Sequence, residues 1–403
     1  MRLADYVIKF LESKKISTVF TVSGGGSIFL CDALYSAKKI KYVCCHHEQA
    51  AAYAAESYSR CKGLPGAAIV TTGPGGTNSI SGVSGCWIDS VPTMFISGQV
   101  FLKQTIGDSK VRQLGVQEID IISLVKPVTK YSVMLKKAED IRFHLEKAYF
   151  TSINGRPGPV WIDIPADIQN SKINEKKLKG FTYKKNILNK SKNKKNLDNK
   201  IKNIANLFKK YEKPVLHFGH GARISNSKTI IKKILSKHDI PFALTWNASD
   251  LIESNHKSYI GRPGAFAERG SNFIIQNCDL YISIGTRLPY MVTGYNSNDF
   301  ARNARKIMVD IDINEINKNK KLIDEHICCD AKYFLNKLLD YLPKKININK
   351  NWIRYCKEIR KKYPIVMDKF VNQKKYVNNY FFIDKLSSIL KNNEIIVTDM
   401  GLS

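Results

Sequence analysis

The chain has 403 residues, 43% hydrophobic and 10% aromatic, a composition that suits packed cores and excludes a wholly disordered, collagen-like or mucin-like chain. Its 64 Lys+Arg against 35 Asp+Glu give a formal net charge of +29, of which only +5 falls in residues 1–171. The excess is Lys mixed with Asn and Ile, as in KKNILNKSKNKKNLDNKIKN, with few aromatics and no zinc-finger or RNP-type spacing, so it reads as solvated faces and a linker rather than a nucleic-acid surface.

Strand-like and helix-like segments alternate from the start. A helix over Leu3–Lys14 leads to a strand over Thr18–Val22, the turn Ser23-Gly24-Gly25-Gly26 and a helical stretch to Ala37. A strand over Tyr42–Cys45 runs into the alanine-rich helix HHEQAAAYAAESYSR, a third over Ala67–Thr71 into GPGGTNS, and a fourth over Thr93–Ser97 into GQV. A buried strand, Val160–Ile164, closes residues 1–170, the first domain. Residues 171–213 read as a Lys/Asn-rich linker with a partly amphipathic helix near its end. A central α/β domain follows over 214–345, with strands at Val215, Phe242–Thr245, Leu280–Ile284 and Lys306–Ile311. Residues 346–403 read as the opening of a third α/β domain: a helix near Trp352, a second at Phe381–Leu390 and a strand over Glu394–Gly401. The fold class is α/β, with doubly wound parallel sheets whose ligands belong at the strand ends.

Nine cysteines, odd in number and without a C-x-x-C pair, support neither a disulfide framework nor a zinc site, and no metal on cysteine is expected. No apolar run approaches the roughly 18 residues of a membrane span, and Asp5 interrupts any signal-like start, so a cytoplasmic protein without a membrane partner is expected.

Glu48 follows an apolar strand and opens the alanine-rich helix, where a carboxylate is either a helix cap or a reactive group stabilised by the helix N-terminus. Its neighbours His46 and His47 point to opposite faces if the strand continues, which argues against a shared metal. TTGPGGTN, Thr71–Asn78, is a glycine-rich strand-to-helix turn with backbone N–H groups for an anion or polar heterocycle, and it matches neither of the common nucleotide-loop spacings. Gly219-His220-Gly221 is a lone G-x-G.

In order, VSGGG, HHEQAAAYAAESYSR, TTGPGGTNSISGV, DSVPTMFISGQV, VQEIDIISLVKPVTKYS and GRPGPVWIDIPADIQ resemble the N-terminal domain of thiamine diphosphate enzymes of the acetolactate synthase family. NCDLYISIGTRLPYMVTG and KIMVDIDINEINKN extend the likeness through a middle domain. The resemblance implies that Glu48 pairs with the cofactor pyrimidine, whose imino tautomer takes the thiazolium proton before attack on a 2-oxo acid, with pyruvate the expected donor. It implies that Gly25 belongs to the turn over the pyrimidine, that Thr72, Gly73 and Asn78 line it, and that Gln117 faces the reacting centre. It further implies FAD binding near Gly219, Gly221, Arg287, Asp310 and Asp312, and a homo-oligomer with the cofactor at the dimer interface. The family's G-D-G…N segment, which holds Mg2+ and the diphosphate, is absent. Asp399-Met400-Gly401 resembles the opening of the domain that carries it, so Gly401 is taken as a cofactor contact and the chain as C-terminally truncated, with half a site and no activity alone. The alternative is a catalytically incomplete regulatory subunit.

Two departures bear on the acceptor. The family segment R-F-D-D-R-V-T-G reads Arg287-Leu-Pro-Tyr-Met291-Val-Thr-Gly294 here, and the lysine of I-P-K-D is Ala166. Met291 cannot pair with a carboxylate, so the expected acceptor is a small molecule other than a 2-oxo acid, such as an aldehyde or keto-sugar.

Overall fold

The computed structural model describes residues 1–182 and 191–397 and divides the chain into two compact units, Met1–Asn186 and Ile187–Ser403. In the first unit six strands, β1 (Thr18–Thr21), β2 (Lys41–Cys44), β3 (Gly66–Val70), β4 (Thr93–Gln99), β5 (Tyr131–Met134) and β6 (Val160–Pro165), form a parallel sheet in the order β2-β1-β3-β4-β6-β5. Strands β3, β4 and β6 are buried along their whole length, as expected of central strands covered on both faces. The chain reverses direction across the sheet between β1 and β3, which opens a crevice at their C-terminal ends.

Small residues let the helix Glu48–Lys62 lie close to this sheet. It buries Ala51, Ala52, Ala55 and Ser59 at helical spacing and ends at Gly63 in the left-handed conformation, φ 67°. A Cβ on Gly66 would stand 1.9 Å from the Ala55 carbonyl oxygen, so this contact between β3 and the helix requires glycine. The Leu3 N–H donates to the Ser171 carbonyl at 2.9 Å, and Ile173 and Leu178 are buried in the same core as Leu3 and Val7. Residues 171–178 are therefore packed chain rather than the start of a linker.

In the second unit β7 (Pro214–Phe218), β8 (Phe242–Leu244), β9 (Tyr259–Gly261), β10 (Leu280–Ile284), β11 (Arg305–Asp310) and β12 (Glu325–Cys328) form a parallel sheet ordered β12-β11-β10-β7-β8-β9. Counted within the unit this is the 3-2-1-4-5-6 order of dinucleotide-type folds, with its crevice between β7 and β10. The helix Ser191–Leu207, inside the expected linker, places Ile201, Ile204 and Ala205 in this unit's core, because its apolar residues recur on one face while Lys and Asn occupy the other. Residues 183–190 lie outside the described residues.

The boundary expected at 346 also moves. The helix Lys350–Lys362 buries Trp352 and Cys356 against Val215, Tyr281 and Met308, so it completes the central core. Replacing Trp352 by Ala is expected to lower the stability of the second unit by about 3–5 kcal/mol, read from denaturant unfolding. An unchanged midpoint would show that the helix is not part of that core. Helix Asn379–Ile389 forms as expected. Glu394–Val397, expected to begin a strand, is not in a strand, and its Ile395 and Val397 are 90% and 91% exposed. The apolar run Ile395–Val397 pairs with no strand among the described residues, and the remainder of that expected strand, through Gly401, lies outside the described residues. Among the described residues no helix is long and apolar enough to cross a membrane, and no group of three or more His, Cys, Asp or Glu could hold a metal ion.

Candidate cofactor site

The crevice of the first sheet gathers most of the residues singled out in the sequence. After β1 the chain turns through Gly24, Gly25 and Gly26; after β2 it enters the Glu48 helix; after β3 it passes through Thr71–Gly73 into the short helix Pro74–Asn78. Thr71 joins these turns. Its Oγ1 accepts the Gly26 N–H at 3.1 Å, and a Cβ on Gly24 or Gly75 would fall 2.5 or 2.6 Å from its side chain.

Glu48 is half-buried in the first turn of its helix, where the unsatisfied N–H groups favour negative charge. The cap itself is His47, whose Nδ1 accepts the Gln49 N–H at 3.1 Å, so the carboxylate of Glu48 is left to work across the crevice. Its Oε2 accepts from Asn78 Nδ2 at 3.0 Å, while Oε1 has no hydrogen-bond donor among the described residues and lies 3.6 Å from where a Gly75 Cβ would be. Glu48, Asn78 and the Thr71–Gly75 turn are thus one constellation. His46 and His47 are both exposed.

Gly25 is exposed, and a Cβ built on it would meet nothing within 4 Å. Its flanking glycines face the Thr71 and Thr72 side chains, which a Cβ would approach to 2.5 Å from Gly24 and 3.0 Å from Gly26, whereas Gly25 itself offers open backbone to a ligand. Gly73, at φ 60°, could carry no side chain because a Cβ would lie 2.1 Å from the Gln117 carbonyl oxygen. That contact brings Gln117, itself at φ 59° and exposed, against the Thr72–Gly73 turn. Glu118 anchors the same loop from beneath, buried and accepting the Ile106 and Leu114 N–H groups at 3.0 and 3.3 Å.

Thr72 is buried, and its hydroxyl donates to Gln99 Oε1. Gln99 and, behind it, Asp163 are polar groups that the sequence pattern did not single out. The signal was present: Gln99 closes an apolar strand in SGQV, and Asp163 interrupts the apolar run VWIDI. A carboxylate there is 1% exposed, and burial pushes its pKa up to about 7.

The residues named for a flavin surround the second crevice. Gly219 and Gly221 pack on the turn after β10, where their Cβ atoms would lie 2.3 Å from the Gly285 oxygen and 2.8 Å from its Cα. Arg287 Nε donates to Glu315 Oε1 at 2.9 Å, Asp310 Oδ1 accepts the Asp312 N–H at 3.0 Å, and Asp312 caps the following helix through the Asn314 N–H at 2.9 Å. The glycines are explained by turn-on-turn packing and the charged groups by internal bonds, so these residues fit a flavin only in part and no chemical step is assigned to one. Met291 is 36% exposed beside this crevice, in the helix Tyr290–Thr293. Ala166 is buried at the start of the helix that follows β6.

Comparison with known proteins agrees with this geometry. Residues 1–124 match the thiamine pyrophosphate enzyme N-terminal TPP binding domain, and residues 201–338 match the thiamine pyrophosphate enzyme central domain. A probable acetolactate synthase large subunit of Methanocaldococcus jannaschii is 32% identical over 406 residues, covering 100% of this chain and 67% of that protein. The acetolactate synthase isozyme 2 large subunit of Escherichia coli is 31% identical over 360 residues, covering 89% of this chain and 62% of the relative. The acetolactate synthase large subunit of Buchnera aphidicola is 30% identical over 400 residues, covering 99% and 68%. The chain spans 62–68% of the length of these relatives. Two parallel sheets that carry the two family domains in order, with relatives matched along the whole chain, place this protein in the acetolactate synthase-like family of thiamine diphosphate enzymes.

Proposed function

We propose that this protein decarboxylates a 2-oxo acid, with pyruvate the expected donor, and transfers the remaining two-carbon unit to a neutral acceptor such as an aldehyde or keto-sugar. The observation that carries this reading is the half-buried Glu48 carboxylate held by Asn78 at the mouth of a glycine-lined crevice. The donor set fits thiamine diphosphate: a carboxyl oriented by one amide, with open backbone at Gly25. When bound, the cofactor supplies the electron sink for decarboxylation.

In this reading Glu48 would hold and return a proton at its carboxyl for the cofactor, Asn78 keeps that carboxyl aimed, and the turns at Gly24–Gly26 and Thr72–Gly75 exclude bulk water. The site would be completed across a subunit interface, with the diphosphate and Mg2+ held by a G-D-G…N segment that residues 1–403 do not contain. Exposed Ile28 and Val116, neighbours in sequence of the Gly25 turn and of Gln117, support a rim that is covered in the assembly. A regulatory subunit would have no need of the Glu48–Asn78 pair.

The neutral acceptor rests on two departures from the family pattern, Met291 in place of its arginine and Ala166 in place of its lysine, where the resemblance implies cations. Assayed with pyruvate and competing acceptors, the protein as its gene encodes it is expected to favour aldehydes. Met291→Arg should then raise use of 2-oxo acid acceptors by about tenfold, the effect of one charge-assisted hydrogen bond. Faster product formation from pyruvate alone than with any aldehyde would overturn the acceptor assignment.

A further inference from the structure

Behind the proposed cofactor turn lies a buried polar chain in which every hydrogen has a fixed direction. Trp161 Nε1 donates to Ser97 Oγ at 2.8 Å, which commits the Ser97 hydrogen to Asp163 Oδ1 at 2.6 Å. On the other side Gln99 Nε2 donates to Asp163 Oδ2 at 3.1 Å and to the Ile119 carbonyl at 3.1 Å. The Val100 N–H donates to Gln99 Oε1 at 3.0 Å, and this settles which end of the amide is oxygen. Thr72 must then give its hydrogen to Gln99 Oε1, which keeps the hydroxyl's lone pairs for whatever it meets on its other side.

We infer that Asp163 is a positioning residue: as a buried acceptor for Ser97 and Gln99 it fixes the Gln99 amide and, through it, the donor direction of Thr72 in the cofactor turn. Asp163 touches no ligand and acts only through Gln99. The assignment of its effect to the cofactor turn rests on the proposed function; the ordering of the hydrogens does not. Both carboxylate oxygens receive hydrogens, so an added proton has no good place. On Oδ2 it confronts the Gln99 N–H, and on Oδ1 it turns the Ser97 hydrogen away from its acceptor.

The proton is nonetheless within reach near neutral pH, because burial raises the Asp163 pKa to about 7. Ser97 and Gln99 oppose that rise, while the charges of Asp120 and Glu118, on the segment before the helix Ile121–Val125, add to it. The network is therefore expected to weaken as pH falls through neutrality, since a neutral carboxyl accepts the Gln99 N–H less strongly than a carboxylate does.

Two measurements on the intact protein test this. The first follows the Gln99 side-chain amide by nitrogen-15 NMR, its signal identified by its loss in Gln99→Met. Its shift should titrate with a midpoint near neutral pH in the unaltered protein and in Thr72→Val, and stay flat in Asp163→Asn. The second is thiamine diphosphate affinity, with Mg2+, across a cycle of Asp163→Asn and Thr72→Val. Asp163→Asn should weaken binding by about tenfold when Thr72 is present and by less than about twofold when it is Val, because the two act in one chain. Gln99→Met tests the same link if Asp163→Asn fails to fold, and it should likewise lose its effect beside Thr72→Val. A Gln99 amide that does not titrate in the folded unaltered protein overturns the proposal, as do costs of the two substitutions that simply multiply. A titrating Gln99 in a protein that binds no thiamine diphosphate upholds the hydrogen ordering and overturns the proposed function.

Discussion

Glu48→Gln is expected to lower carbon dioxide release from pyruvate by at least about a thousandfold, at the upper range of what a positioned acid–base group contributes. The substitution is nearly isosteric and keeps an oxygen for Asn78 Nδ2, which holds Glu48 Oε2 at 3.0 Å in the parent. The loss of charge at the helix N-terminus costs less than about 1 kcal/mol at a half-exposed site, so the unfolding midpoint should hardly move. What the amide cannot do is take up and return a proton. Single-turnover release with thiamine diphosphate and Mg2+, on the protein as its gene encodes it, separates these effects. Cofactor affinity should fall far less than the rate. A variant with the parent rate would remove Glu48 from the chemistry and return it to the helix-terminal role that its position also allows.

The parts of the site legible in the sequence are those where local geometry forces a residue type. Gly73 is at φ 60° and Gly24 would collide with Thr71, so the glycine runs mark real turns at strand ends. Glu48 was singled out by its place between an apolar strand and an alanine-rich helix, a place that a helix cap also explains, and its assigned role comes from the family resemblance. Asp163 and Gln99 were not, because their meaning depends on β4 and β6 lying side by side, with Ser97 in register with Asp163. Nothing local to either strand announces that pairing. Composition misled in the same way at residues 191–207: Lys and Asn set the average, while Ile201, Ile204 and Ala205 set the packing. Tyr131–Met134, which forms edge strand β5, was missed because it is only half-buried and lacks the continuous apolar run of its neighbours. The middle-domain glycines Gly219 and Gly221, a lone G-x-G in sequence that only the resemblance ties to a flavin, pack against Gly285 as a tight turn would.

The second large effect is expected at Gly98, which lies in β4 outside the glycine motifs. A Cβ there would stand 2.0 Å from the Gly26 carbonyl oxygen and 2.5 Å from the Ser27 nitrogen, both backbone atoms that no rotamer change can clear. The turn cannot simply retreat. The Gly26 carbonyl also accepts from Gln169 Nε2 at 2.7 Å, the Gly26 N–H is held by Thr71, and Gln169 is itself buried. Moving the turn far enough for a methyl group breaks the Gln169 bond and strains the Thr71 contact, so overpacking and a stranded buried amide add. Gly98→Ala should therefore destabilise the first unit by about 3–5 kcal/mol. Any fraction that folds should bind thiamine diphosphate at least about tenfold more weakly, because the open backbone at Gly25 has moved. Gly155→Ala is the matched control: its φ of 66° strains an alanine, but a Cβ there meets nothing within 4 Å, so it should cost only about 1 kcal/mol and leave binding unchanged. Denaturant unfolding and cofactor titration of the two variants side by side decide the matter. Equal, small effects at both positions would mean that the turn does not sit against β4, and the cofactor crevice built on that contact would have to be abandoned.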